Sequence, residues 1–147
     1  MIHPILLILH LLAASIWVGG HLLLSIRFLP EALQKKDLSI ILNFKDKFEV
    51  VGLPSILILL ISGIMMAYNY GVPFSRWFSF SDGIEKIISI KLILIFTTII
   101  LAAYSQLYIF PKANSERMFP LAFQIILVTL IGVGMLVLGS LIQLGGV

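Results

Sequence analysis

The chain has 147 residues, of which 60% are hydrophobic and 12% are charged. A soluble domain is roughly 25% charged, and one of this length has too little interior to bury so much apolar surface. Composition therefore excludes an ordinary soluble fold, and the length suits a single membrane domain. The lack of cysteine excludes disulfides, thiolate metal sites and cysteine nucleophiles. No basic run with interleaved aromatics accompanies the net charge of +3, so nucleic acid is not an expected partner.

Four apolar segments each reach the roughly 20 residues that cross a bilayer. They predict an all-α fold, an integral membrane four-helix transmembrane bundle with the lipid bilayer as its main partner. The predicted spans are 4–29, 50–70, 84–110 and 119–144, within one transmembrane domain over residues 1–147. Pro30 and Pro111 are expected to end the first and third spans, because proline interrupts helical hydrogen bonding.

The segment 31–49 interleaves charged residues with apolar ones. This pattern is typical of a short amphipathic helix that lies at the membrane surface between the first and second spans. A helical extension of the second span is the alternative. Asp37 or Ser39 is suited to cap this helix.

Lysine and arginine are distributed unequally between the two ends of the predicted bundle. Seven of the ten lie with the first and third loops: Arg27, Lys35, Lys36, Lys45, Lys47, Lys112 and Arg117. The other three, Arg76, Lys86 and Lys91, lie with the second loop and both termini. The positive-inside rule then predicts an N-out/C-out protein of the inner (plasma) membrane, with both termini periplasmic or extracellular.

All three histidines lie in the first span, at His3, His10 and His21. At about 3.6 residues per turn they share one helix face, to which Trp17 also belongs. A buried imidazole in a span either binds a metal or haem or forms an interhelical hydrogen bond. His10 and His21 are roughly 16 Å apart along the axis, so as ligands they would serve two separate sites. His3 is either a ligand or an interfacial residue near the outer surface.

The other spans carry two further candidates. Lys91 either extends to the surface or pairs with a carboxylate or with an anionic ligand such as a haem propionate. Met66 shares the polar face of the second span and is the best thioether ligand for copper(I). Because only the first span has histidine, a haem would need His with Met or Lys, five-coordinate iron, or histidines from the two subunits of a homodimer. No hydrolase or kinase constellation is present.

The first span, from Leu9 to Gly20, resembles the first helix of the copper-resistance protein D (CopD) family. The segments Phe48–Pro54 and Tyr104–Pro111 resemble the second and third helices of that family. The resemblance implies a four-helix inner-membrane protein for copper uptake or tolerance. Under this interpretation His10, His21, Met66 and His3 are the expected copper ligands, and a second copy or a periplasmic copper protein is the expected partner.

The pattern from His10 to Trp17 and Gly20, with Lys91-Leu92 in the third span, is also similar to the HemJ-type membrane oxidases. This second resemblance implies a haem b protein and, if it is an enzyme, a haem-dependent membrane oxidoreductase. His10 would be the axial ligand, with Trp17 in the cofactor site and Lys91 or Arg27 near the propionates. A non-catalytic assembly subunit, whose histidines only pack, is the third interpretation; overall, a non-enzyme is favoured over an enzyme.

Overall fold

The computed structural model describes residues 4–81 and 83–143. Four helices account for most of them: α1 (Pro4–Lys35), α2 (Ser39–Asn69), α3 (Gly83–Lys112) and α4 (Phe119–Gln143). Each is long and apolar enough to cross a membrane, and the described residues contain no strand. The predicted all-α bundle of four transmembrane helices is therefore confirmed. The protein is a multi-pass membrane protein.

The prediction that Pro30 ends the first helix is wrong. Helix α1 continues to Lys35 because a π-helical turn, Leu24–Phe28, precedes the proline. In this turn the Leu29 N–H bonds to the carbonyl of Leu24, five residues back. Proline has no N–H, and its ring would clash with the preceding turn of an ordinary α-helix. The wider π-helical turn makes room for that ring. Pro30 then lies in the first turn of the next α-helical segment.

Helix α3 uses the same device before its own proline. A π-helical turn covers Ser105–Ile109, and the Phe110 N–H bonds to the Ser105 carbonyl. A final 3₁₀ turn, Phe110–Lys112, contains Pro111, so the helix ends within one residue of the predicted stop. Helices α1 and α3, which run in the same direction, thus each contain a π turn that is followed by one further residue and then by a proline.

Residues 39–49 do not form a separate surface helix. They are the first turns of α2, which runs without interruption from Ser39 to Asn69, as the alternative prediction proposed. The Asp37 carboxylate accepts hydrogen bonds from the N–H and the hydroxyl of Ser39, at 3.0 and 2.6 Å. The hydroxyl donor, followed by the backbone donor, lowers the pKa of the exposed Asp37 carboxyl.

Helix α1 packs along α2 and α4, and α3 packs along α4, whereas α2 and α3 approach each other less closely. Polar side chains join the packed pairs. Ser25 on α1 donates to Thr129 on α4 at 2.5 Å, and the Gln124 amide of α4 donates to the Leu101 carbonyl of α3. Gly20 lets α1 approach α2, because a Cβ there would lie 2.1 Å from the Phe48 ring. This arrangement leaves space in the bundle interior beside α2 and α3.

The loop between α2 and α3 is fixed by Arg76. Its guanidinium bonds to Glu85 in the first turn of α3 at 2.8 Å and to the Gly71 carbonyl at the end of α2 at 3.1 Å. The Ser79 hydroxyl donates to the second oxygen of Glu85 at 2.5 Å. The exposed rings of this loop suit the headgroup level: Phe74, Phe78 and Phe80.

Candidate functional site

Two cavities lie inside the bundle, and residues of all four helices line each of them. The His10 cavity, of about 340 Å³, lies toward the end that carries both termini. The His21 cavity, of about 370 Å³, lies toward the end that carries the α1–α2 and α3–α4 connections. Trp17 and Ile56 line both cavities and therefore stand between them. Each cavity contains one histidine, as the helical spacing predicts.

His10 is held from α2 by a hydrogen bond that fixes its proton. Its Nδ1 lies 2.7 Å from the hydroxyl of Ser62. That hydroxyl donates its only hydrogen to the Ile58 carbonyl at 2.5 Å, so it must accept from the imidazole. Nδ1 of the neutral ring therefore carries the proton, and Nε2 keeps its lone pair. Within the described chain no donor reaches Nε2, which leaves it available to a ligand.

His21 has the same proton arrangement with a different partner. Its Nδ1 lies 2.8 Å from the Trp17 carbonyl, which can only accept, so the proton is on Nδ1 and the lone pair on Nε2. The centroid of the imidazole lies 4.5 Å from that of the Trp17 ring and 5.7 Å from that of the Phe48 ring, which it meets edge-on. In the described residues Nε2 again receives no hydrogen bond. The imidazole is thus oriented by its own helix and by α2.

Lys91 brings the one cation into the lining of the His10 cavity. Among the described residues its ammonium group makes no hydrogen bond or ion pair, although the helix carries it inside the span. Glycines keep both functional side chains uncovered. A Cβ at Gly139 would lie 3.4 Å from the Lys91 Nζ, and one at Gly63 would lie 3.5 Å from the His10 Cε1. Lys91 therefore places an amino group, with no acceptor among the described residues, in an overwhelmingly apolar cavity.

The His21 cavity has a polar edge on the α2 and α3 side. Glu49 forms an ion pair with Lys45 at 2.8 Å and accepts a hydrogen bond from the Gln106 amide at 3.0 Å. Both contacts use Oε1, and in the described parts of the chain Oε2 accepts none. Aromatic rings cover much of the remaining lining: Trp17, Phe44, Phe48 and Phe110.

The predicted site residues fall into three groups. His10, Met66, Lys91 and Trp17 come together at the His10 cavity, and His21 lines the other cavity. Arg27 is 68% exposed, pairs with Glu31 at 3.3 Å, and is not part of either lining in the described structure. His3 lies outside the described residues. Lining residues that were missed as candidates include Tyr70 and Met135 at the first cavity, and Glu49 and Gln106 at the second.

Glu49 had a sequence signal: a carboxylate four residues after Lys45 on an amphipathic segment, which indicates an ion pair on a helix. Met135 and Tyr70 had none, because apolar and aromatic residues are the ordinary content of a span. The described residues contain no group of three His, Cys, Asp or Glu side chains that could hold a metal ion. No family model, no curated protein and no solved structure matches this chain.

Proposed function

We propose that this multi-pass membrane protein binds haem b in the His10 cavity and works as a membrane redox protein. The observation that carries the proposal is His10. Its proton is held on Nδ1 by Ser62, its Nε2 lone pair is open to a ligand, and it lines the same cavity as the unpaired Lys91. A neutral imidazole with one nitrogen bonded to the protein is the form that ligates a metal.

The shape and chemistry of the cavity favour a large apolar cofactor over a bare ion. Its volume of about 340 Å³ falls in the range of small-molecule sites, about 300–1,000 Å³. Its lining is overwhelmingly apolar, whereas an ion needs several donors within about 2–2.5 Å. A porphyrin, by contrast, brings four nitrogen donors itself and asks the protein mainly for an apolar cavity and an axial ligand.

Each polar residue of the cavity then has a role. His10 would supply Nε2 to the iron, and Ser62 would hold the ring in that orientation. The Lys91 ammonium would pair with a propionate carboxylate and so neutralise both charges inside the span. Met66 and Met135 would be the side chains of the lining with a thioether to offer to the iron. When bound, haem supplies one-electron exchange between its ferric and ferrous states.

Copper binding is the second candidate, favoured by the two thioethers that line the His10 cavity. Copper(I) accepts thioether and imidazole ligands, so His10, Met66 and Met135 form a suitable donor set. His21 would belong to a separate site in the other cavity. In this case the protein would handle copper, as the resemblance to the CopD family implies, with a second copy or a periplasmic copper protein as partner.

An absorption spectrum of the purified protein tests the first proposal and separates it from the second. Expression with an ample haem supply is expected to give a Soret band that shifts on dithionite reduction, with close to one haem per chain. A protein that stays colourless, and does not take up added haemin, would rule out the haem proposal. Copper content measured on the same preparation would then decide whether the second candidate stands.

The Ser62 contact gives a sharper prediction with a matched control. Ser62→Ala is expected to weaken haem binding about tenfold, the lower end of what an orienting partner of a metal ligand contributes. Ser55→Ala is the control, because Ser55 is also buried on α2 and also donates to the carbonyl four residues back, but has no histidine partner. Haemin titration of both variants measures the difference; equal affinities would show that Ser62 does not orient His10.

We infer from the charge distribution that both termini face outward from an inner membrane, so the His10 cavity lies in the outer half. The cysteine-free chain allows a direct test with single introduced thiols. In intact cells a membrane-impermeant maleimide is expected to label Ser75→Cys, in the α2–α3 loop, and not Glu116→Cys, in the α3–α4 connection. Labelling of Glu116→Cys alone would reverse the topology.

A further inference from the structure

We propose that the His21 cavity is a binding site for a lipid-soluble hydroquinone. This inference goes beyond the haem proposal and does not depend on it. The cavity is separated from the His10 cavity by Trp17 and Ile56, and it has its own histidine and its own polar edge.

The first step of the argument is the type of hydrogen-bonding group that the site offers. Two oriented acceptors line the cavity, Nε2 of His21 and Oε2 of Glu49, and neither receives a hydrogen bond in the described structure. The Glu49 side chain is 38% exposed, and no buried polar side-chain atom of the described residues lacks a partner, so both acceptors are accessible to solvent or to a ligand. A ligand that fills the cavity would take them out of water, and it must then supply donors to avoid leaving them unsatisfied. A matching ligand therefore carries O–H or N–H donors.

The second step is the charge of that ligand. The Glu49 carboxylate already has a cation, because the Lys45 ammonium lies 2.8 Å from Oε1. A cationic ligand would compete with that lysine, and a carboxylate ligand would be repelled by Glu49. The ligand is therefore neutral.

The third step is its shape. The cavity of about 370 Å³ is lined by the rings of Trp17, Phe44, Phe48 and Phe110, and it lies within the span region, where the bilayer is the source of ligands. Offset or edge contacts between such rings and an aromatic ligand are favourable. A neutral, membrane-soluble aromatic ring with two hydroxyl donors is a hydroquinone. Its hydroxyls would donate to His21 and Glu49.

The test compares two probes that differ only in their donors: durohydroquinone under argon and its dimethyl ether. Calorimetric titration of the detergent-solubilised full chain is expected to show one durohydroquinone per chain. The dimethyl ether is expected to bind about 10- to 100-fold more weakly, because it cannot donate to a histidine or a carboxylate. Equal affinities for the two probes would overturn the proposal, since the cavity would then be only an apolar space.

Variants of the two acceptors locate the site. His21→Leu and Glu49→Met are each expected to weaken durohydroquinone binding about tenfold or more. Glu116→Met, which removes an exposed glutamate of the α3–α4 connection, is expected to leave it unchanged. Durohydroquinone binding that is unaffected by both acceptor variants would place the ligand elsewhere and overturn the assignment. If either acceptor variant fails to fold, the comparison of the two probes on the unaltered chain still decides.

Haem content, measured on the same preparations, separates this inference from the haem proposal. An intact Soret band without preference for durohydroquinone over its ether rejects only the hydroquinone site. Durohydroquinone binding by a colourless protein rejects only the haem. A Soret band that is lost in His21→Leu but kept in His10→Leu would place the porphyrin in the His21 cavity and overturn the inference made here.

Discussion

Replacing His10 by leucine is expected to abolish haem binding, with a fall in haemin affinity of more than about 100-fold. The reason is that even the outer partners of a metal ligand contribute about 10- to 100-fold, and the ligand itself contributes more. Leucine is close to imidazole in volume, so the apolar walls of the cavity persist and the bundle is expected to fold. Soret absorbance during haemin titration gives the affinity, and a haemochrome assay gives the haem content per chain.

The matched variant is His21→Leu, which removes an imidazole of the same tautomer from the same helix but from the other cavity. It is expected to keep the Soret band at close to wild-type affinity. Loss of the band in both variants would indicate a general effect on folding. Retention of the band in His10→Leu would contradict the proposed axial ligand.

Lys91→Met separates the charge from the packing in the same cavity. Without the ammonium the propionates have no cationic partner among the lining residues of the described structure. If Lys91 has the proposed role, Lys91→Met is expected to bind haemin more weakly with an unchanged Soret position. A changed Soret position would instead assign Lys91 to the iron, as the second ligand beside His10, since His21 lines the other cavity.

The four helices could be predicted because each depends on an apolar run of bilayer length, which is a local property of the sequence. The end of α1 could not. The rule that proline ends a helix assumes α-helical hydrogen bonding on both sides, whereas the π turn before Pro30 moves the interrupted bond by one residue. A π turn has no strong local signature, and it forms where tertiary packing stabilises it.

The candidate site, too, was predictable only in part. Helical spacing alone placed His10 and His21 at two depths, and it identified Lys91 as a cation inside a span. The contact with Ser62 could not be read from the sequence, because it depends on how α1 and α2 are rotated against each other. The polar edge formed by Glu49 and Gln106 depends on α2 extending beyond its apolar segment. The amphipathic pattern of that extension fitted both a separate surface helix and a longer second span, so the sequence did not decide between them.

His10 and Lys91 occupy corresponding positions in α1 and α3. Each lies twenty residues before the proline that follows the π turn of its helix, Pro30 in α1 and Pro111 in α3. Because α1 and α3 run in the same direction, equal distances from equal turns bring both residues to the same depth. The cavity between them therefore has an electron-pair donor on one wall and a cation on the other. This pairing is the basis on which we propose that haem binds in the His10 cavity.

Replacing Arg76 by methionine is expected to destabilise the protein by roughly 3 kcal/mol, because it removes the guanidinium that forms an ion pair with a buried carboxylate. The Glu85 side chain is only 3% exposed, while the Arg76 side chain is 54% exposed, so most of the desolvation falls on the glutamate. Arg76 also bonds to the Gly71 carbonyl, and its loss therefore frees the end of α2 from the start of α3. The free energy of unfolding in detergent, measured by denaturant titration, checks this value.

Two further variants distinguish loss of the ion pair from loss of a surface arginine. Arg117→Met removes an exposed arginine of the α3–α4 connection whose side chain makes no hydrogen bond or ion pair within the described residues, and it is expected to change stability by less than about 0.5 kcal/mol. The double variant Arg76→Met/Glu85→Met removes both charges and is expected to recover a large part of the loss. If Arg76→Met proves no less stable than Arg117→Met, the Glu85 carboxylate keeps sufficient partners without the guanidinium. Ser79, which donates to its second oxygen, would then be one of the residues that hold the loop over the His10 end of the bundle.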